Sequence, residues 1–105
     1  MIYRLKRKSD FDKIFKNGKR CYANSLMMLY FKSDCLKIGF SVSKKHGKAV
    51  VRNRIKRLLR ASARKVFKGL NSCLYVVFLP KVQENYSFKE YLNDMTYLVK
   101  KENLK

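Results

Sequence analysis

Between residues 44 and 68 stand eleven cations: Lys44, Lys45, Lys48, Arg52, Arg54, Lys56, Arg57, Arg60, Arg64, Lys65 and Lys68. No Asp or Glu occurs from Cys35 to Val82. Arg52, Lys56, Arg60 and Arg64 recur every four residues. On a helix they make a ladder of like charges, which destabilises the helix in isolation. A phosphate backbone removes that cost, because each phosphate offsets repulsion and accepts charge-assisted hydrogen bonds. Arginine forks match phosphates bidentately, while lysines act as point charges. Asn53, between Arg52 and Arg54, has two readings: a cap or surface residue, or a hydrogen-bonding partner for phosphate, ribose or a neighbouring loop. The candidate phosphate-backbone-binding set is Lys44, Lys45, Lys48, Arg52, Asn53, Arg54, Lys56, Arg57, Arg60 and Arg64. The rival is a helix lying on an anionic membrane. Such a helix carries bulky aromatics at the interface, and this segment has only Phe67, near its end.

Hydrolytic chemistry is poorly provided for. A protein metallonuclease needs convergent carboxylates. The acids here are Asp10, Asp12, Asp34, Glu84, Glu90, Asp94 and Glu102, scattered over helix starts, turns and the last helix. His46 is the only histidine and precedes a glycine, which reads as a loop or RNA-contact residue. Cys21, Cys35 and Cys73 are far apart and odd in number, without metal-ligand spacing. The expectation is no catalytic residue, no metal site, and reduced thiols in a cytoplasmic protein.

The totals agree. A chain of 105 residues holds one domain, 1–105, with one modest core. Its net charge of +19 repels itself unless anions answer it. A hydrophobic fraction of 47% sets it apart from a disordered basic tail. No apolar stretch is long enough to span a membrane, and no signal-peptide pattern follows the start.

These groups need elements to carry them. Residues 1–8 read as extended. Ser9 is placed to cap a short helix to Lys16, with Phe11, Ile14 and Phe15 on one face and Gly18 as its stop. Residues 25–32 read as a strand with poor alternation. Leu36 to Ser43 reads as the returning strand of a hairpin, with Ile38, Phe40 and Val42 on one side and Gly39 marking a bulge or a close backbone approach. From Lys48 to Lys68 the period becomes helical, with an apolar stripe of Val51, Ile55, Leu58, Leu59 and Val66. Ser62 interrupts the stripe, with the Leu58 carbonyl within reach of its hydroxyl. Gly69 is placed to end the helix. Cys73 to Leu79 reads as a central strand buried on both faces, ended by Pro80. Ser87 caps the last helix, with Glu90 at its third position, Tyr86 stapling onto Tyr91, and Phe88, Leu92, Met95, Leu98 and Val99 as its buried stripe. The order is α-β-β-α-β-α, an α/β (α+β) two-layer sandwich of a small sheet and packed helices.

Residues 37–60, KIGFSVSKKHGKAVVRNRIKRLLR, closely resemble the signature of the bacterial ribonuclease P protein family. The core of the match is Arg52, Asn53 and Arg54 followed by Lys56, Arg57 and Arg60, preceded by Gly39, Ser41, Val42, Ser43, Lys44 and Lys45. The start also fits, with Arg4 and Leu5, Asp10 and Phe11, Phe15 and Gly18. The resemblance implies the ribonuclease P protein fold, akin to a ribosomal protein domain, with a left-handed strand-helix-strand crossover. It implies a partner, the ribonuclease P catalytic RNA, which with Mg²⁺ removes the 5′ leader of precursor tRNA. The protein itself is implied to be non-catalytic, to bind no metal tightly and to need no protein partner. By the same resemblance Phe11 and Phe15 match aromatic residues of a leader-binding cleft, with Tyr30 a looser candidate. From the residues alone, Phe11 and Phe15 read as core ahead of ligand-facing. The alternative function is a ribosomal or other structured-RNA-binding protein.

Overall fold

The computed structural model describes the backbone of residues 3–4 and all of 8–68 and 73–104. The expected helix stop at Gly69 lies outside these residues. In chain order the elements are β1 (Tyr3–Arg4), α1 (Lys8–Asn17), β2 (Lys19–Tyr22), β3 (Leu26–Lys32), β4 (Lys37–Phe40), a 3₁₀ turn (Lys44–His46), α2 (Ala49–Phe67), β5 (Leu74–Pro80) and α3 (Phe88–Lys101). The six expected elements occur in the expected order, and two short strands, β1 and β2, join them. α1 is already helical at Lys8, so Ser9 lies inside it and not at its cap. Gly18 does end it. Its N–H donates to the Ile14 carbonyl at 2.7 Å, and a Cβ there would sit 2.5 Å from that oxygen.

The strands form one mixed sheet in the order β1-β4-β5-β3-β2. β5 pairs in parallel with β4 and antiparallel with β3. The hairpin expected between residues 25–32 and 36–43 is therefore not formed, because β5 separates the two strands. The reason is burial: β5 is apolar at nearly every position and has both edges paired and both faces covered. Leu74, Val76 and Phe78 face one side, and Val77 the other. β4 stops at Phe40, and its register with β5 runs from Lys37 to Phe40 without a bulge at Gly39. The β4-α2-β5 connection is a parallel strand-helix-strand crossover, the kind of connection that the family resemblance implies.

α2 and α3 cover the Val76 face and complete the two-layer body. Ile55, Leu59, Ala63 and Phe67 of α2 and Tyr91, Met95, Leu98 and Val99 of α3 are buried there. Ser62 is fully buried in the same seam, and its hydroxyl donates to the Leu58 carbonyl at 2.8 Å. Tyr91 is fully buried on α3 together with Met95 and Leu98, whereas Phe88 and Leu92 of the expected stripe are half-buried. Ser87 caps α3 by accepting from the Glu90 N–H, while the Glu90 carboxylate accepts from the Gln83 amide. Among the described residues, the opposite face carries one helix, α1, through Ile14, which packs on Leu29 and Val77.

Candidate RNA-binding surfaces

α2 turns its apolar stripe to the sheet and leaves its cations outside. Arg54, Arg57 and Arg64 are exposed, and Arg52, Lys56 and Arg60 are half-buried along the flanks. Their aliphatic stems cover apolar surface while their heads face water. Val51 is 37% exposed: it stands at the first turn of α2, beyond the end of the buried stripe, against Gly47. Asn53, Lys56, Arg57 and Arg60 line an open groove of about 410 Å³. The Nε of Arg52 is buried without a hydrogen-bond partner. Asn53 is exposed and does not cap α2, whose N-cap is Lys48.

Lys44, Lys45 and Lys48 precede α2, all exposed, on the 3₁₀ turn and the helix cap. The turn is held by His46, a role that the sequence reading did not give it. The Nε2–H of His46 donates to the Pro80 carbonyl at 2.7 Å. That fixes the tautomer, so Nδ1 accepts from the Ser43 N–H at 3.2 Å. The imidazole is thus a strut between the lysine turn and the end of β5. Gly47, at φ +127°, then swings the chain into α2, a conformation that a side chain resists.

The second surface is the sheet face under α1. Phe11 and Phe15 both lie on α1, with Phe11 packed on the Leu29 side and Phe15 36% exposed. α1 covers this face only in part. Phe31 and Tyr75 lie on the same face as a T-shaped pair with ring centroids 5.3 Å apart. The Lys37 ammonium sits 5.3 Å from the Tyr75 ring centre. Tyr30 is not part of this cluster. It packs on the α3 side, and its hydroxyl donates to Glu102 Oε1 at 2.8 Å. Successive strand residues point to opposite faces, so one step along β3 exchanges Tyr30 for Phe31. The poor alternation of LMMLYF hid this parity.

Around Tyr30 a small polar network closes the edge of the core. The Lys19 ammonium lies 2.7 Å from the same Glu102 oxygen, whose side chain is only 9% exposed. The hydrogen bond from Lys19 and then that from Tyr30 hold the Glu102 carboxyl below its ordinary range. Burial, with the bond to Glu102, pushes the Tyr30 hydroxyl up to about 12. Burial likewise pushes the Cys21 thiol up to about 11.

A family model described as ribonuclease P matches residues 2–103. The chain belongs to the ribonuclease P protein family. It is 38% identical over 109 residues to the ribonuclease P protein component of Clostridium kluyveri, covering 98% of this chain and 96% of that one. It is 38% identical over 105 residues to the same component of Bacillus velezensis, covering 96% and 90%. The fold superposes on Staphylococcus aureus RNase P protein with a TM-score of 0.84 at 27% identity, covering 97% and 96% of the two chains. The RNase P protein of Thermotoga maritima gives 0.81 at 28%, covering 93% and 96%.

Two features of this member of the family bear on chemistry. Among the described residues no three His, Cys, Asp or Glu side chains converge to hold a metal ion. Among the same residues no helix is long and apolar enough to cross a membrane.

Proposed function

We propose that this chain is the RNA-gripping subunit of a cytoplasmic ribonuclease P. In this role it binds the catalytic RNA through Lys44, Lys45, Lys48 and the outer face of α2, from Arg52 and Asn53 to Arg64. The observation that carries the reading is the segregation of charge on α2: its cations lie on the outside, no acid stands among them, and its stripe is closed against the sheet. Phosphates along an RNA backbone are the ligand that makes this arrangement stable. Cleavage of the 5′ leader is RNA chemistry. Magnesium belongs to the RNA and its substrate, since the described residues of the protein supply no carboxylate cluster for it.

The leader runs on the other side of the sheet. There Phe15 and Phe11 form a wall, and Phe31 and Tyr75 replace Tyr30 as the aromatic floor. An extended single strand stacks on such rings without base identity being read, at roughly 1–3 kcal/mol per base.

The test is 5′-leader removal at low Mg²⁺ by a bacterial ribonuclease P RNA, with and without the protein. Activation is expected with protein, and none with protein alone. Arg57→Gln and Arg60→Gln should weaken assembly with the RNA for every substrate. Phe31→Leu and Phe15→Leu should weaken binding of leader-bearing precursor only, leaving mature tRNA unaffected. Binding to ribosomal RNA with no effect on leader removal would instead favour a structured-RNA protein outside tRNA processing.

A further inference from the structure

The strand order has a consequence for two cysteines that lie far apart in sequence. β5 sits between β3 and β4, so the link at residues 33–36 must pass over the start of β5, where Cys73 stands. The Ser33 N–H donates to the Cys73 carbonyl at 2.8 Å, which ties the beginning of the link to that residue. From the other side, β4 pairs in parallel with β5, Lys37 opposite Tyr75. The link bends at Asp34 and Cys35 as it crosses between these two edges of β5, so Cys35 is held between Ser33, which is bonded to Cys73, and Lys37, which lies opposite Tyr75. So short a link keeps Cys35 near Cys73, and a disulfide spans Cα atoms roughly 4.4–6.8 Å apart. After burial and Asp34, the nearby Cys73 thiol adds slightly to the upward shift of the Cys35 thiol. Both are free; Cys73 is exposed, Cys35 half-buried, and Cys21 is shut in the core.

We propose that Cys35 and Cys73 form a reversible disulfide site, oxidised by a small-molecule disulfide of the glutathione class. Cys73, the exposed partner, attacks first as the thiolate. It forms a mixed disulfide with one half of the oxidant and releases the other half as a thiolate. The Cys35 thiolate then attacks the Cys73 sulfur, forms the Cys35–Cys73 bond and expels the second half. The protein gives up two electrons and two protons, and the oxidant becomes two thiols. Burial raises the Cys35 thiol above its ordinary range, and Asp34 beside it adds to this, while Lys37 pulls the other way. The second step therefore quickens as pH rises. The bond ties the two ends of the crossover together, enclosing the lysine turn and all of α2. A cross-link of that span restricts the unfolded chain and raises the melting temperature by several degrees.

The experiment needs no RNA. Reduced protein is equilibrated with glutathione and glutathione disulfide at increasing ratios of the oxidised form. Free thiols are counted after acid quenching, the linked peptides are mapped by mass spectrometry, and melting is followed in parallel. Wild type and Cys21→Ser should each lose two thiols with a mass change of only two hydrogens. Both should yield a Cys35–Cys73 peptide and melt several degrees higher. Cys35→Ser should stop at a glutathione adduct on Cys73, with no rise in melting temperature. Glutathione adducts on wild-type Cys73 without the internal bridge, or bridges only between molecules, would overturn the proposal. Cys21→Ser checks that the result does not depend on the buried thiol.

Discussion

His46 offers a way to separate shape from charge in RNA binding, because it can be replaced while every lysine and arginine of the surface is kept. The strut fixes the turn that carries Lys44 and Lys45 and leads to Lys48. His46→Ala removes the 2.7 Å bond to the Pro80 carbonyl and the 3.2 Å bond from the Ser43 N–H. The freed turn then spends little of its time with the three lysines against phosphate. Each phosphate contact contributes about 0.7–0.9 to the slope of log affinity against log salt. Loss of all three would therefore lower the slope by about 2–2.7. Between 50 and 200 mM salt, the wild-type advantage would shrink by roughly 20- to 40-fold, from the same relation. Filter binding to ribonuclease P RNA across that salt range measures it. His46→Gln, which places an amide nitrogen near the position of Nε2 and keeps a donor for Pro80, should recover part of the slope. Lys44→Gln alone should lower the slope by about 0.7–0.9. If His46→Ala lowers the melting temperature but leaves the slope unchanged while the lysine variant lowers it, the strut reasoning is refuted. If neither variant alters the slope, it is the placement of RNA on this turn that fails.

Four further outcomes are expected. Tyr30→Phe should cost about 1–2 kcal/mol of stability, as expected for a hydrogen bond to a charged acceptor, without altering leader affinity, because Tyr30 faces α3; a selective loss of leader-bearing substrate would return it to the cleft. The depressed carboxyl of Glu102 contributes stability above its unfolded value near 4.3 and loses it as pH falls through the folded value. The melting-temperature gap between wild type and Glu102→Gln should therefore be widest near neutrality and close below about pH 4. Asp94 Oδ2 accepts both the backbone N–H of the fully buried Ser25, at 2.9 Å, and its hydroxyl; Asp94→Ala strands both donors and should cost about 2–4 kcal/mol in urea unfolding, with Asp94→Asn costing less. Finally, sulfate should raise the melting temperature above that in chloride at equal ionic strength, beyond the effect on a less basic control protein, because anions that seat among the α2 cations stabilise only the folded chain.

Much of the candidate site was legible because it is local. The four-residue charge ladder, the acid-free stretch around it and the stripe of Ile55, Leu58 and Leu59 all follow from helical periodicity within one segment. Ser62 is a sharper case. A hydroxyl inside an apolar stripe can reach the carbonyl four residues back, and its bond to Leu58 is the one observed. The Ser87 cap and the doubly buried strand, read over Cys73 to Leu79 and found at Leu74–Pro80, were equally local, one a matter of capping chemistry and the other of composition.

The remainder depended on which strands become neighbours. Residues 25–32 and 36–43 looked like a hairpin because they are consecutive, but β5 buries more apolar surface in the centre and parts them. That one fact places the 33–36 link over Cys73. β3 is covered on both faces, so its sequence shows no alternation from which to tell Tyr30 from Phe31. Only its register with β5, Tyr30 against Val76 and Phe31 against Tyr75, decides which ring faces α1. His46 meets Pro80 across 34 residues, for the same reason. The sequence by itself determined what each segment is and which of its faces is polar. Tertiary structure decided which faces meet, because that choice rests on the burial and pairing of the whole sheet, which no single segment's periodicity records.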